Sequence, residues 1–257
     1  MVAIDIEFVK LIAREAGETA LTRLEHITPE YKADDSFVTD IDRDTEKFVQ
    51  KRLAERYPDF AFQGEEYGRQ GGDGVPLWAV DPIDGTTNMV FGLPGWCVSI
   101  GLVSEGEAVA GALYIPRTGE MFWGVRGQGA YCNGVRLQAK DRDTLHPEDT
   151  LGFTSMAIKT LGVSQLTGRI RCIGSIATEV AYAARGSLCS LVGCYEGIND
   201  LAAALCCAYE AGCEATYLTG EPLSIEAMVR EGRTQAPFII APPRLAALLR
   251  SRLHAGE

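Results

Sequence analysis

The sequence predicts a mixed α and β protein, with an antiparallel meander in its first half and alternating strands and helices in its second. Three observations lead there. Residues 98–103, 108–114 and 120–125 carry strand-like apolar patterns, joined at Ser104-Glu105-Gly106-Glu107 and Arg117-Thr118-Gly119, which supply tight turns. Beyond residue 146, short apolar runs alternate with segments of helical spacing. At the amino end, Ile4, Phe8, Leu11, Ile12 and Leu21 recur near helical spacing, which predicts an amphipathic helix over residues 4–25.

The remaining elements follow in order. Residues 31–42 mix charge with one short apolar segment and read as a loop or hairpin. Residues 42–57 form a second helix with Phe48, Val49 and Leu53 on its apolar side, and Pro58 ends it. Residues 60–62 make a short strand leading into Gly64-Glu65-Glu66, and the glycine-rich stretch 68–76 is a loop. The apolar run 77–80 reads as a buried strand. Pro82 then lacks an N–H and fixes φ, so the chain is expected to leave the sheet there. After the meander, residues 129–132 and 135–137 pair about Asn133-Gly134. In the second half, residues 151–154, 169–173, 189–194, 213–218 and 238–240 read as strands. A helix runs from Gly174-Ser175 to Arg185 with Gly186 as its C-cap; a small-residue helix spans 200–211 and stops at Gly212; a last helix spans 243–253. One domain over residues 1–257 is expected, its N-terminal α+β part ending near 145 and its C-terminal α/β part starting near 146.

Composition narrows the function. The net charge of −11 argues against nucleic acid as a partner. It also repels a phosphate ester unless bound cations reverse the local sign. No apolar run approaches the length of a membrane span, and the early acids Asp5 and Glu7 do not fit a signal peptide. The eight cysteines include no Cys-x-x-Cys pair and sit among apolar or small residues, as at Cys97, Cys172, Cys189, Cys206 and Cys207. They read as small core residues in a reducing cytoplasm. His26, His146 and His254 fall in no motif, which disfavours a histidine-based catalyst.

The chemistry concentrates in residues 78–88, Trp-Ala-Val-Asp-Pro-Ile-Asp-Gly-Thr-Thr-Asn. Asp81 and Asp84 stand at the carboxyl end of a buried strand. Gly85 permits a tight turn, and Thr86-Thr87-Asn88 opens a helix. Carboxylates and carbonyls suit a hard divalent cation such as Mg²⁺, and helix-start amides suit a phosphate. Taken singly, Asp81 or Asp84 reads more readily as a turn or cap residue than as a metal ligand.

The unbroken string Asp-Pro-Ile-Asp-Gly-Thr-Thr-Asn resembles the signature of the inositol-monophosphatase-like family of Mg²⁺-dependent, often lithium-sensitive phosphatases. Further family elements match: Lys32 upstream of Val38-Thr39-Asp40-Ile41-Asp42, Gly64-Glu65-Glu66, Gly174-Ser175, and Asp200-Leu201-Ala202-Ala203 followed by Glu210-Ala211-Gly212. The resemblance spans roughly residues 5–245. It implies a layered α-β-α-β-α sandwich and a homodimer. It implies a Mg²⁺ cluster held by Glu65, Asp81, Asp84, Asp200 and the carbonyl of Ile83. Glu65 and Thr86 would orient the attacking water, with Asp42 hydrogen-bonded to the Thr86 hydroxyl. Asp84, Gly85, Thr86, Gly174, Ser175, Glu196 and Asp200 would line the substrate. Lys32 reads either as a charge shield on a loop over the site or as a surface lysine.

Three departures stand out. Where relatives often carry aspartate two residues before the valine, this chain has Ser36, with Asp34 and Asp35 close by. Most relatives have tryptophan before the last aspartate; here it is Asn199. The segment from Glu196 to Asp200 is also about three residues short of inositol-phosphate-hydrolysing members, in which a glutamate of this segment holds substrate hydroxyls. Glu196 reads either as that contact or as a surface carboxylate, and Asp200 by itself as a helix N-cap.

Uncatalysed phosphate-monoester hydrolysis is extremely slow, and clustered Mg²⁺ supplies both an activated water and charge neutralisation. The leading expectation is therefore a Mg²⁺-dependent phosphomonoesterase for inositol monophosphate or related small polyol or sugar phosphates. Alternatives are a phosphatase for histidinol phosphate, a 3′(2′),5′-bisphosphate nucleotidase, and a non-catalytic phosphate-binding protein.

Overall fold

The computed structural model describes residues 3–253 except Asp34, and of His26 the backbone alone; Asp34 and His254 therefore lie outside the described residues. The first half opens with α1 (Ile6–Thr22), a 3₁₀ turn at Leu24–His26, and a small hairpin of β1 (Glu30–Tyr31) and β2 (Phe37–Val38). Then come α2 (Asp40–Arg56), β3 (Ala61–Gly64), β4 (Arg69–Gln70), β5 (Leu77–Asp84), α3 (Thr86–Val90), β6 (Cys97–Ser104), β7 (Glu107–Ile115), β8 (Glu120–Val125), β9 (Gly129–Cys132) and β10 (Val135–Arg136). The second half runs β11 (Thr150–Phe153), α4 (Ser155–Thr160), β12 (Arg169–Arg171), α5 (Ile176–Arg185), β13 (Ser190–Gly193), α6 (Ile198–Glu210), β14 (Glu214–Tyr217), α7 (Ile225–Glu231), β15 (Phe238–Ala241) and α8 (Pro243–Arg252).

An eight-stranded sheet of order β10-β9-β8-β7-β6-β5-β3-β4 holds the meander, and only its β3–β5 pair is parallel. A five-stranded sheet of order β12-β11-β13-β15-β14 holds the later strands, and β11 runs parallel to both neighbours. Strand periodicity explains the layering. On β5, Trp78 and Val80 face α1 and α2 with Val9, Ile12, Val49 and Leu53. Leu77 and Ala79 face the opposite way, into a core shared with α5 and α6. On the smaller sheet, Leu191 and Ile240 point into that same core, whereas Val192 and Ile239 pack against α4 and α8. The result is the α-β-α-β-α sandwich that the resemblance implied.

The central helix α6 lies unusually close to the large sheet. A Cβ at Gly101 would sit 2.4 Å from the Ala203 backbone, and one at Gly111 2.4 Å from Ala203 Cα. Glycines on β6 and β7 and alanines on α6 therefore form one contact. Cys206 and Cys207 are buried in it, as small core residues, and all eight cysteines are free thiols; Cys172 is exposed and Cys189 only half-buried, which corrects the core reading for these two. Among the described residues no helix is long and apolar enough to cross a membrane.

Several boundaries depart from the expectations. β5 does not stop at Val80. It continues to Asp84, with Asp81 opposite Ser99, Asp84 opposite Cys97 and a register shift between them. A bulge leaves its extra residue unpaired, so it absorbs Pro82 without ejecting the strand. α6 begins at Ile198, not Asp200, because buried Ile198 carries the helix back two residues. α4 and α7 were not anticipated, being under two turns long and too short to show a period.

Candidate active site

The bulge at the end of β5 places the two motif aspartates. Asp81 Oδ1 accepts the Ile83 amide at 2.9 Å, which folds the Asp-Pro-Ile-Asp turn on itself. Asp84 Oδ2 accepts the Ser175 hydroxyl at 2.6 Å and the Ala177 amide at 2.7 Å. Ser175 is the N-cap of α5, so one end of that helix fixes the Asp84 carboxylate. Gly85 follows at φ +95° and caps α3. A Cβ there would lie 2.9 Å from the Gly95 carbonyl and 3.1 Å from Ser175 Cβ, so the turn takes glycine for both reasons. Asn88 closes the motif by donating to the carbonyls of Gly95 and Ile173, the latter at 2.7 Å, which ties α3 to the Gly174-Ser175 turn.

From α2 comes Asp42, fully buried. Thr39 is the N-cap, and Asp42 Oδ2 accepts the Thr39 amide at 2.8 Å. Its other oxygen accepts the Thr86 hydroxyl at 2.8 Å, the bond the resemblance anticipated. The same hydroxyl lies 3.0 Å from the Ile83 carbonyl.

Asp200 is the third residue of α6, where its Oδ2 accepts the amide of the N-cap residue Gly197 at 3.0 Å. The N-cap reading of Asp200 is thus corrected by three residues: Gly197 holds the cap, and Asp200 reaches back to it. Glu65 leaves the end of β3 and pairs with Lys32 at 2.7 Å; Lys32 also pairs with Glu66 at 2.7 Å. Lys32 is half-buried between these acids, which favours the charge-shielding reading over the surface one. Burial acts to lower its pKa, but Glu65 and Glu66 more than offset this and hold the ammonium protonated.

Electrostatics locates the acids together. Burial, then the charges of Glu65, Asp84 and Asp200, push Asp81 well above the usual carboxylate range. Burial raises Asp84 to about 6 against the hydrogen bonds from Ser175 and Ala177. Burial, Asp84 and Glu65 raise Asp200 to about 7. Like charges this close cannot all ionise without a compensating cation. The donor set is oxygen only, as a hard divalent ion requires. As the side chains stand, no three of these acids among the described residues converge on one centre. Glu65 is turned toward Lys32, and Asp84 and Asp200 are held by amides. The donors thus fit Mg²⁺ in kind, although Glu65 is engaged with Lys32.

Glu196 is not a surface carboxylate. It is partly buried, and burial followed by the charges of Asp200, Asp84 and Glu179 pushes it up to about 9. Its amide donates to Thr234 Oγ1 at 3.0 Å, and Thr234 donates its amide to the Glu196 carbonyl at 2.9 Å. The short segment before Asp200 is therefore pinned rather than loose. Asn199, standing in the tryptophan position, has a buried Oδ1 with no hydrogen-bond partner among the described residues.

Two buried acids near the site were not singled out from sequence. Glu179 on α5 accepts the Ile173 amide beside the Gly174-Ser175 turn, and burial pushes it up to about 7. Glu46 on α2 lies under the Glu65 turn. A signal for Glu46 was available: Asp42, Glu46, Val49 and Leu53 share one helical face, so the apolar stripe of α2 continues into acids.

Carboxylates gathered at strand and helix ends beside a glycine turn suit hydrolysis of phosphate esters. The chain matches the family model described as the inositol monophosphatase family over residues 3–254, and it belongs to that family. It is 29% identical over 247 residues to a fructose-1,6-bisphosphatase/inositol-1-monophosphatase of Aquifex aeolicus, covering 91% of this chain and 93% of that one. It is 30% identical over 228 residues to an inositol-1-monophosphatase of Rhizobium meliloti, covering 85% and 84%. The crystal structure of extragenic suppressor protein suhB from Bartonella henselae superposes with a TM-score of 0.83 at 26% identity, covering 95% of this chain and 96% of that one. The protein is accordingly a phosphoric monoester hydrolase.

Proposed function

We propose that the protein is a Mg²⁺-dependent phosphomonoesterase acting on inositol monophosphates and related small polyol or sugar phosphates. The observation that carries this reading is the gathering of Glu65, Asp81, Asp84 and Asp200 around the Gly85-Thr86 turn, where burial and the charges of Glu65, Asp84 and Asp200 push Asp81 up, and burial and the charges of Asp84 and Glu65 push Asp200 up. Glu65, Asp81, Asp84, Asp200 and the Ile83 carbonyl would hold the metal. When bound, Mg²⁺ supplies charge neutralisation at the phosphoryl oxygens and a water of lowered pKa. The chain supplies the rest. The Thr86 hydroxyl, held by Asp42, and the Glu65 carboxylate orient the attacking water. The amides of Gly85 and Thr86 accommodate phosphate oxygens. Ser175 keeps Asp84 in place from below, and Gly174 with Glu196 borders the leaving group. Direct attack by water needs no covalent phospho-enzyme. A homodimer, Li⁺ inhibition, a cytoplasmic location and a single functional domain over the whole chain belong to the same reading.

Substrate breadth follows from the segment before Asp200. It lacks the tryptophan and the extra residues of inositol-selective relatives, so it supplies fewer fixed partners for particular hydroxyls. Strong discrimination requires buried polar groups that go unpaired with the wrong substrate. Glu196 is the partner that remains, and its inward orientation supports a hydroxyl contact. The Aquifex aeolicus relative is named for two substrates, which supports breadth. A panel of inositol 1-phosphate, fructose 1,6-bisphosphate, glycerol phosphate, histidinol phosphate and adenosine 3′,5′-bisphosphate tests this. Inositol and other small polyol or sugar phosphates are expected within about two orders of magnitude in kcat/KM. A preference above about 10⁴ for histidinol phosphate or the nucleotide would replace the reading with that narrower activity.

A further inference from the structure

The turn that carries Glu65 rests on a second, hidden carboxylate. Glu46 is fully buried on α2, one helical turn beyond Asp42 and on the same face. Its Oε2 accepts the Glu66 amide at 2.7 Å and its Oε1 accepts the Tyr67 amide at 3.0 Å. Both carboxylate oxygens are thus committed to consecutive amides of the turn immediately after Glu65. The fit extends one residue back as well. A Cβ on Gly64 would lie 1.9 Å from Glu46 Oε1, so the carboxylate occupies the space that a side chain at position 64 would need. The glycine of Gly64-Glu65-Glu66 is therefore there to admit Glu46. Burial disfavours its charge, and the amides of Glu66 and Tyr67 favour it, so the bonds to this turn are what keep a carboxylate tolerable at this depth.

We infer that Glu46 is a positioning residue for the metal site: it clamps the backbone of residues 64–67 and so fixes the turn from which Glu65 joins Asp81, Asp84 and Asp200 when a cation is bound. α2 then organises the site twice from one face. Asp42 sets the Thr86 hydroxyl on the β5 side, and Glu46 sets the Glu65 turn on the β3 side. Without the clamp, the backbone that carries Glu65 would lose the fixed position from which its side chain can join the other three acids. The inference rests on the reading of Glu65 as a metal ligand. It differs from a purely structural role for Glu46, which would support the turn without affecting cation affinity.

The test is calorimetric titration of Mg²⁺ into the native protein, Glu46→Gln and Glu46→Asp, with circular dichroism to verify folding. Glu46→Gln keeps the shape and removes one acceptor. Glu46→Asp keeps the buried charge and withdraws the oxygens by one methylene. Both should weaken Mg²⁺ binding about ten- to hundredfold, the usual cost of losing a group that orients a ligand. Both should recover most of their phosphate release at saturating Mg²⁺. Mg²⁺ affinity within about twofold of native in a folded variant, accompanied only by a lower Tm, would overturn the inference. Failure of the native protein itself to bind Mg²⁺ would instead overturn the metal-site reading on which it rests.

Discussion

Thr86 donates its hydroxyl to Asp42 Oδ1 at 2.8 Å, a contact that joins positions 44 residues apart. Asp42 is not free to swing away, since its other oxygen accepts the amide of Thr39 at the start of α2. The helix cap and the hydroxyl are parts of one arrangement. Asp42→Asn and Thr86→Ala should each lower kcat strongly and combine with marked non-additivity in a double-mutant cycle. Full additivity in activation free energy would reduce Asp42 to a cap.

Gly85 carries the next prediction. Alanine there must adopt φ +95° and place its Cβ against the Gly95 carbonyl, Ser175 and Gly174. Strain and overpacking of this kind cost about 1–3 kcal/mol each. Gly85→Ala should therefore lower Tm by several degrees and depress phosphate release more than it depresses stability, because Thr86 and Ser175 both move. Thermal melts beside activity assays measure the two effects.

The crowded acids predict an unusual pH profile in the metal-free protein. Asp84 at about 6, Asp200 and Glu179 at about 7 and Glu196 at about 9 all lie above their unfolded values. The folded state therefore binds protons more tightly than the unfolded state. This contribution is fully present below about pH 4, where both states are protonated, and is lost as pH rises through the folded values. With EDTA present, Tm should fall progressively between about pH 5 and 9. Added Mg²⁺ should reverse the fall most at the alkaline end, where the ligands are ionised. A flat or rising Tm in EDTA over that range would mean the carboxylates are farther apart or better solvated than their positions indicate.

Much of this was legible in the sequence because each site residue sits at an element boundary with its own local signature. Gly85 marked a tight turn, Ser175 a helix start and Gly186 a C-cap, and all three are found there, the turn at Gly85 being left-handed. The meander was legible from alternation and turn residues. What escaped was non-local or conflicted locally. Pro82 argued for leaving the sheet, but the bulge in the pairing of β5 with β6 absorbed it. Asp200 looked like a cap because acids favour that position, while the burial of Ile198, a tertiary effect, moved the helix start. Lys32 and Glu196 each had two readings until the fold placed them beside acids distant in sequence. Glu46 gave a signal in the acid end of an apolar stripe, but its partners, two backbone amides across a turn, leave no trace in residue type.

The measurement that bears most directly on the central claim is release of inorganic phosphate from inositol 1-phosphate across a Mg²⁺ titration, for the native protein and Asp84→Asn. Turnover should be absent in EDTA, rise with Mg²⁺ to saturation, and fall by several orders of magnitude in Asp84→Asn with the fold retained. Turnover by the native protein that persists unchanged in EDTA, or near-native turnover by Asp84→Asn at saturating Mg²⁺, would contradict a metal site built on this aspartate.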